Sequence, residues 1–257
     1  VGAEDGIPSG GRTAGPRQLY DARVNGTAQG EVMREEMLIV EDLLLTLMDD
    51  TSGAIAGEGT LYYTLGGAVL AELALRGHVT AAEGDTGLTG LKVHAVSGRS
   101  IEDPLLRDAY RKTAERTRGV QTLLVEIGAE LRGTVLDRLV DRGVVSRERK
   151  RRLGLFHTTS LSVADTRHKA EVLREVRATL VDGRTPGERT AVLIGLLSAS
   201  GSLPGLHPAI PWSGKVYERA KEYEKGTWGA DAVSAAVTRT VVAVTVGSAV
   251  AVTGAAD

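Results

Sequence analysis

The chain has 257 residues, of which 42% are apolar and 25% charged, and its formal net charge is −2. That apolar share supports a substantial core, so most of the chain is expected to fold. Cysteine is absent, which rules out disulfides and thiolate metal sites and fits a reducing cytoplasm; one Phe and two Trp leave the core to Leu, Val, Ala and Ile, which suits close-packed helices.

The small net charge conceals a segregation of sign. Residues 1–60 hold 11 acids against 4 bases (net −7), and residues 107–152 hold 13 bases against 7 acids (net +6). The second stretch is suited to attract phosphate groups.

Residues 1–30 are rich in Gly, Pro and polar residues without periodicity, and read as a flexible tail; the boundary is placed at 1–32 against a folded domain at 33–257. No positively charged leader with an apolar run opens the chain. Val1 fits an alternative start codon and Met33 fits a true start. From Met33 the texture changes: Met37, Val40, Leu44 and Leu47 recur at helical spacing, and Asp49, Asp50, Ser52 and Gly53 end the run.

The next helix is expected over Tyr62–Arg76, with Gly77 at its C-terminal cap. Val79–Glu83 and Leu91–Val96 read as short strands around the turn-rich Gly84–Gly90. Further helices are expected over Pro104–Thr117, with Pro104 in the first turn, and over Val120–Asp141, ending at Gly143. A basic run and a strand-like stretch, Leu153–Val163, follow. Thr166–Leu180 and Pro186–Ala199 read as helices, Lys215–Lys225 as a polar surface helix, and Ala230–Ala251 as a closing helix. The apolar stretch Thr240–Ala256 is diluted by Ala and Gly and falls short of the ~20 residues of a membrane span, so it reads as a buried helix. The fold class that follows is mainly α: one globular helical domain with small β-hairpins.

Motifs for catalysis are missing. The histidines His78, His94, His157, His168 and His207 are scattered, with no HExxH or EF-hand loop, so no local metal site is expected. Gly201-Ser202 lacks the frame of a nucleophile elbow, and Gly10-Gly11 and Gly66-Gly67 lack phosphate-loop spacing. Adjacent acids at Glu35/Glu36 and Asp49/Asp50 point to different sides of a helix and read as solvated charges. No catalytic residue and no cofactor is assigned.

The most informative stretch is Asp137–Val163, DRLVDRGVVSRERKRRLGLFHTTSLSV. Arg147, Arg149, Lys150, Arg151 and Arg152 place five bases in six residues, and Leu153, Leu155 and Phe156 follow at once. Bases drawn to anionic headgroups beside an apolar tip that leaves water make a membrane-surface anchor, each base contributing ~1 kcal/mol. A solvated basic turn with its Leu and Phe tucked inward is the other reading.

Four segments give the chain a wider resemblance: EEMLIVEDLLLTLMDD, ELALRGHV, LVDRGVVSRE and RTPGERTAVLIGLLSAS. In combination, over roughly residues 35–245, they resemble the Golgi phosphoprotein 3-like family. The Arg-to-Lys ratio, 24 to 7, suits a bacterial member from a GC-rich genome. The resemblance implies a helical domain with a projecting β-hairpin that binds phosphatidylinositol 4-phosphate on a basic face, inserts the hairpin into the bilayer and retains membrane enzymes by their cytosolic tails. It also implies a headgroup pocket of one Trp and three Arg. In this sequence those positions fall on Gly57, Gly66, Ala129 and Arg132, so only Arg132 is kept; Tyr62 or Tyr63 supplies an aromatic group only if the loop is offset. Phosphoinositide recognition needs several converging cations, so less selective attachment to anionic lipid is expected. The expected location is the cytoplasmic face of a membrane, and the apolar C-terminal helix allows homo-oligomers. A nucleic-acid module using the basic helix and hairpin, and an enzyme with a site assembled from distant residues, are the rival readings.

Overall fold

The computed structural model describes residues 36–81, 92–152 and 156–224. The chain divides into a unit of residues 1–37, of which only Glu36 and Met37 are described, and a unit of residues 38–257. The flexible-tail expectation for 1–32, the turn at 84–90 and the C-terminal helix expectations beyond 224 therefore lie outside the described residues.

The second unit is mainly α with small antiparallel hairpins, as its periodicity predicts. Its first helix, α1, is Ile39–Leu47, and α2 is Leu61–Leu75, with a short 3-10 turn at Glu58–Thr60 between them. Helix α2 is central: all but three of its fifteen residues are buried, which a helix apolar on every face requires. It ends where the sequence predicts, at Gly77, whose φ of 70° only glycine adopts without strain. Strands β1 (Val79–Ala81) and β2 (Lys92–Ala95) pair antiparallel with Val79 opposite Ala95, and β3 (Arg118–Gly119) adds to the β2 edge.

Helix α3 spans Pro104–Glu115. Asp103 caps it by accepting from the Leu105 and Leu106 amides at 2.9 and 3.2 Å, and Pro104 sits in the first turn. The helix expected over Val120–Asp141 is two helices, α4 (Val120–Gly128) and α5 (Leu131–Asp141). The interruption follows a close approach: a Cβ on Gly128 would lie 2.7 Å from the Tyr62 carbonyl carbon, and one on Gly66 would lie 3.1 Å from Leu124 backbone atoms. Glycines at these two points let α2 and α4 pack backbone against backbone.

Beyond α5 come β4 (Val145–Arg152) and β5 (Phe156–Val163), a separate two-stranded sheet. The basic run expected to precede a strand is itself strand, because pairing with β5 extends from Val145↔Val163 to Arg152↔Phe156. Helices α6 (Thr166–Leu180), α7 (Glu188–Ala199) and α8 (Gly214–Glu224) complete the described unit. Helix α8 is less superficial than its polar composition suggests, since Val216, Ala220 and Glu224 are buried. Leucines of α1, α2, α4 and α7, among them Leu44, Leu65, Leu73, Leu124 and Leu196, form the core with almost no exposure.

Candidate functional site

Two features of the fold carry exposed or concentrated charge. The first is the β4–β5 hairpin. Strand β4, VSRERKRR, carries the five bases Arg147, Arg149, Lys150, Arg151 and Arg152 against one acid, and β5, FHTTSLSV, carries no acid. Like charge on one strand is therefore not compensated by its neighbour. At the root of the strand the exposed Arg147 meets Asp137 of α5 at 2.7 Å. Lys150, Arg151 and Arg152 lie opposite Thr158, His157 and Phe156 in the backbone register. Leu153 and Leu155 fall outside the described residues, as do the side-chain positions of Phe156 and of Arg149 to Arg152.

Arg132 stands on the exposed face of α5 and donates to Glu58 at 2.7 Å. Glu58 follows Gly57 in the 3-10 turn before α2. The fold thus brings Gly57 and Arg132, 75 positions apart in sequence, to one place. Gly66 does not join them: it is buried in the α2–α4 contact, where no longer side chain fits. Ala129 is the exposed cap residue of α4. One cation with an acidic partner is thus what the four positions supply. Tyr62 and Tyr63 stack on one another at 4.2 Å between ring centroids.

The second feature is a partly buried ion cluster at the N-terminus of α1, which the sequence reading missed. Glu41 is completely buried; it accepts from the Leu38 amide at 2.7 Å, Arg138 Nε at 3.1 Å and Arg142 Nε at 2.9 Å. Arg138 also donates to Asp103 at 2.8 Å. Glu72 of α2 mirrors this arrangement. It accepts from the Ile39 amide at 2.8 Å, Arg76 Nε at 2.8 Å and Arg189 at 3.1 and 3.2 Å. Arg189 reaches Asp42 at 3.2 Å, and Asp42 meets His168 Nε2 at 2.7 Å. Two amides at a helix N-terminus and four guanidiniums thus share four carboxylates, those of Glu41, Asp42, Glu72 and Asp103, each satisfying the others.

Each of the four segments that carry the family resemblance contributes to this cluster: Glu41 and Asp42, Glu72 and Arg76, Arg142, and Arg189. The signal in the sequence is a charged residue inside an apolar run, as in Val40-Glu41-Asp42-Leu43 and Ala71-Glu72-Leu73. The cluster also joins the acidic beginning of the chain to its basic middle. Glu41 and Glu58, both within residues 1–60, hold Arg138, Arg142 and Arg132 of the basic stretch.

The hydrogen bond to Asp42 raises the His168 pKa above its ordinary value, more than burial lowers it. His78 is the converse case: burial, with Arg99 and Arg76 beside it, lowers its pKa, and its Nδ1 has no hydrogen-bond partner among the described residues. A cavity of about 330 Å3 between α1, α6 and α7 is lined by Asp42, Glu171, Arg174, Glu175, Arg189 and Thr190 among others, a mixture of charges of both signs. Among the described residues no group of three His, Asp or Glu is placed to hold a metal ion. No described helix is long and apolar enough to cross a membrane.

Chemically, the hairpin offers concentrated positive charge for phosphate groups, whereas the cluster at α1 is internally neutralised and holds helices together. The family model described as Golgi phosphoprotein 3 (GPP34) matches residues 39–240. The chain therefore belongs to the Golgi phosphoprotein 3 (GPP34) family. No curated protein matches it.

Proposed function

With membership of that family as the premise, we propose that the chain is a peripheral membrane protein that binds anionic phospholipid through its basic face and the β4–β5 hairpin. The observation that carries this reading is the hairpin: five bases and one acid on β4, no acid on β5, and Leu153 and Leu155 in the sequence joining the strands. Bases near an anionic surface contribute ~1 kcal/mol each, and leucines at the turn add the gain of leaving water. Arg132, alone of the four positions that would form a headgroup pocket and already partnered by Glu58, favours attachment by overall charge over selection of a phosphoinositide. A binding protein rather than an enzyme, acting as an adaptor for the cytosolic tails of membrane proteins at the cytoplasmic face, is the role that this attachment suits.

Vesicle binding tests it. Affinity is expected to track total negative charge when phosphatidylglycerol vesicles are compared with phosphatidylinositol 4-phosphate vesicles at matched charge. Replacing Leu155 and Phe156 by Ser is expected to weaken binding by ~2–4 kcal/mol and to leave duplex DNA binding, which follows salt and the number of bases, unchanged. A double variant that melts normally, keeps vesicle affinity and loses DNA affinity refutes the membrane reading in favour of a nucleic-acid module.

A further inference from the structure

The loop between α1 and the 3-10 turn is a compact, self-bonded unit that lies against the root of the hairpin. Asp49 closes it: the Asp49 amide donates to the Ala54 carbonyl at 2.7 Å, and the Gly53 amide donates back to the Asp49 carbonyl at 3.0 Å. The Asp49 carboxylate accepts from the Thr51 amide at 3.2 Å and from the Ser52 amide and hydroxyl, each at 2.7 Å. Met48 and Ile55 bridge the base of the loop, and the Ala56 amide reaches the Leu47 carbonyl at 2.9 Å. A loop tied this often to itself behaves as a rigid body.

Its outer side meets β5 in two ways. The Val163 amide donates to the Asp50 carbonyl at 3.1 Å. Gly53, at φ 68°, approaches the Leu161 backbone so closely that a Cβ would lie 2.8 Å from both the Leu161 carbonyl carbon and its Cβ. Lys169 of α6 locks the loop from the far side, through the Met48 carbonyl and the Asp50 carboxylate, each at 2.5 Å. On the opposite strand the tethers are the Arg147–Asp137 pair, exposed on both sides and of a kind that contributes little, and the junction with α5, where the Val144 amide donates to the Leu139 carbonyl at 3.0 Å and Val145 is buried. At β5 the direction of the hairpin is therefore set by backbone contact with this loop.

We infer that the Leu47–Ala56 loop is the element that aims the β4–β5 hairpin, with Gly53 as its positioning residue. Any side chain at position 53 is strained by its φ and collides with backbone that has no rotamer to yield, so the strand must move. Eight-residue strands extend roughly 25 Å, so a small displacement at Leu161 becomes a larger one toward the turn. The inference rests on the proposed role of the hairpin for its consequence at membranes, though not for the aiming itself.

The test uses the full chain, which has no native cysteine. Spin labels at Thr158→Cys on β5 and Ala114→Cys at the end of α3 report the hairpin's direction relative to a core helix. Gly53→Ala is expected to shift or broaden that distance distribution while the core still melts cooperatively, and to lower affinity for phosphatidylglycerol vesicles. Asp49→Ala, which removes the carboxylate's three bonds without adding bulk, is expected to broaden the distribution, and it decides the matter should Gly53→Ala fail to fold. An unchanged distribution in the folded variants overturns the inference. A changed distribution with unchanged vesicle affinity upholds the aiming and instead removes the hairpin from the membrane-binding proposal.

Discussion

Replacing Glu41 by Ala asks whether the ion cluster at α1 holds the helices together. The carboxylate is fully buried and accepts from Leu38 at 2.7 Å, Arg138 at 3.1 Å and Arg142 at 2.9 Å. Arg138 retains Asp103 after the substitution, whereas Arg142 and the Leu38 amide lose this acceptor. Removing one member of a buried ion pair costs about 3–5 kcal/mol. Both guanidiniums keep some exposure, 21% of each side chain, which allows water to compensate and places the expectation at the lower end, ~3 kcal/mol. For a unit of this size that corresponds to a fall in Tm of roughly 6–12 °C. Glu41→Gln keeps the volume and one acceptor oxygen but loses the charge, so about half the effect is expected. Urea unfolding followed by far-UV circular dichroism at constant pH measures both variants. A loss below ~1 kcal/mol for Glu41→Ala would mean that water takes over the arginines, and that apolar packing alone fixes α1 against α5.

The His168–Asp42 pair gives stability a pH dependence of defined sign. The folded-state pKa of His168 lies above its unfolded value, so the contribution is complete below about pH 6.5 and disappears as pH rises through the folded pKa. The Tm difference between the unsubstituted chain and His168→Ala is expected to be larger at about pH 5.5 than at about pH 8.5; equal differences refute the assignment. At Arg132, Glu58 competes with any incoming anion, and both side chains are exposed. Glu58→Ala is expected to strengthen binding to phosphatidylglycerol vesicles by up to about fivefold, the range of an exposed pair. Unchanged or weaker binding places Arg132 outside the binding face.

Much of the fold could be read in sequence because helices are local objects. Periodicity, the Asp103-Pro104 start and the Gly77 and Gly143 ends are properties of short stretches, and α2, α3 and α6 lie within a residue or two of their expected bounds at nearly every end. The division of 120–141 into two helices was not legible in the same way. It depends on where Gly66 and Gly128 meet α4 and α2 across the core, a contact between residues far apart in the chain. The basic run was read correctly as a concentration of charge but not as a strand, since its own residues favour no strand and only the register with Phe156–Val163 makes it one.

The candidate site divides along the same line. Sequence alone determined that five bases precede Leu153 and Leu155, that Arg132 is the one cation kept among the expected headgroup positions, and that the family is the Golgi phosphoprotein 3 one. Tertiary structure decided what those charges meet. Glu58 reaches Arg132 from the far end of the chain's acidic opening, and Glu41 from the same opening holds Arg138 and Arg142. Composition counts charge by position along the chain, whereas Coulomb attraction and desolvation act by distance in space. The −7 and +6 stretches that look like separate surfaces in sequence are partly one neutralised interior. Gly53 was legible only as a turn former; that it lies against Leu161 depends on the chain returning there 108 residues later.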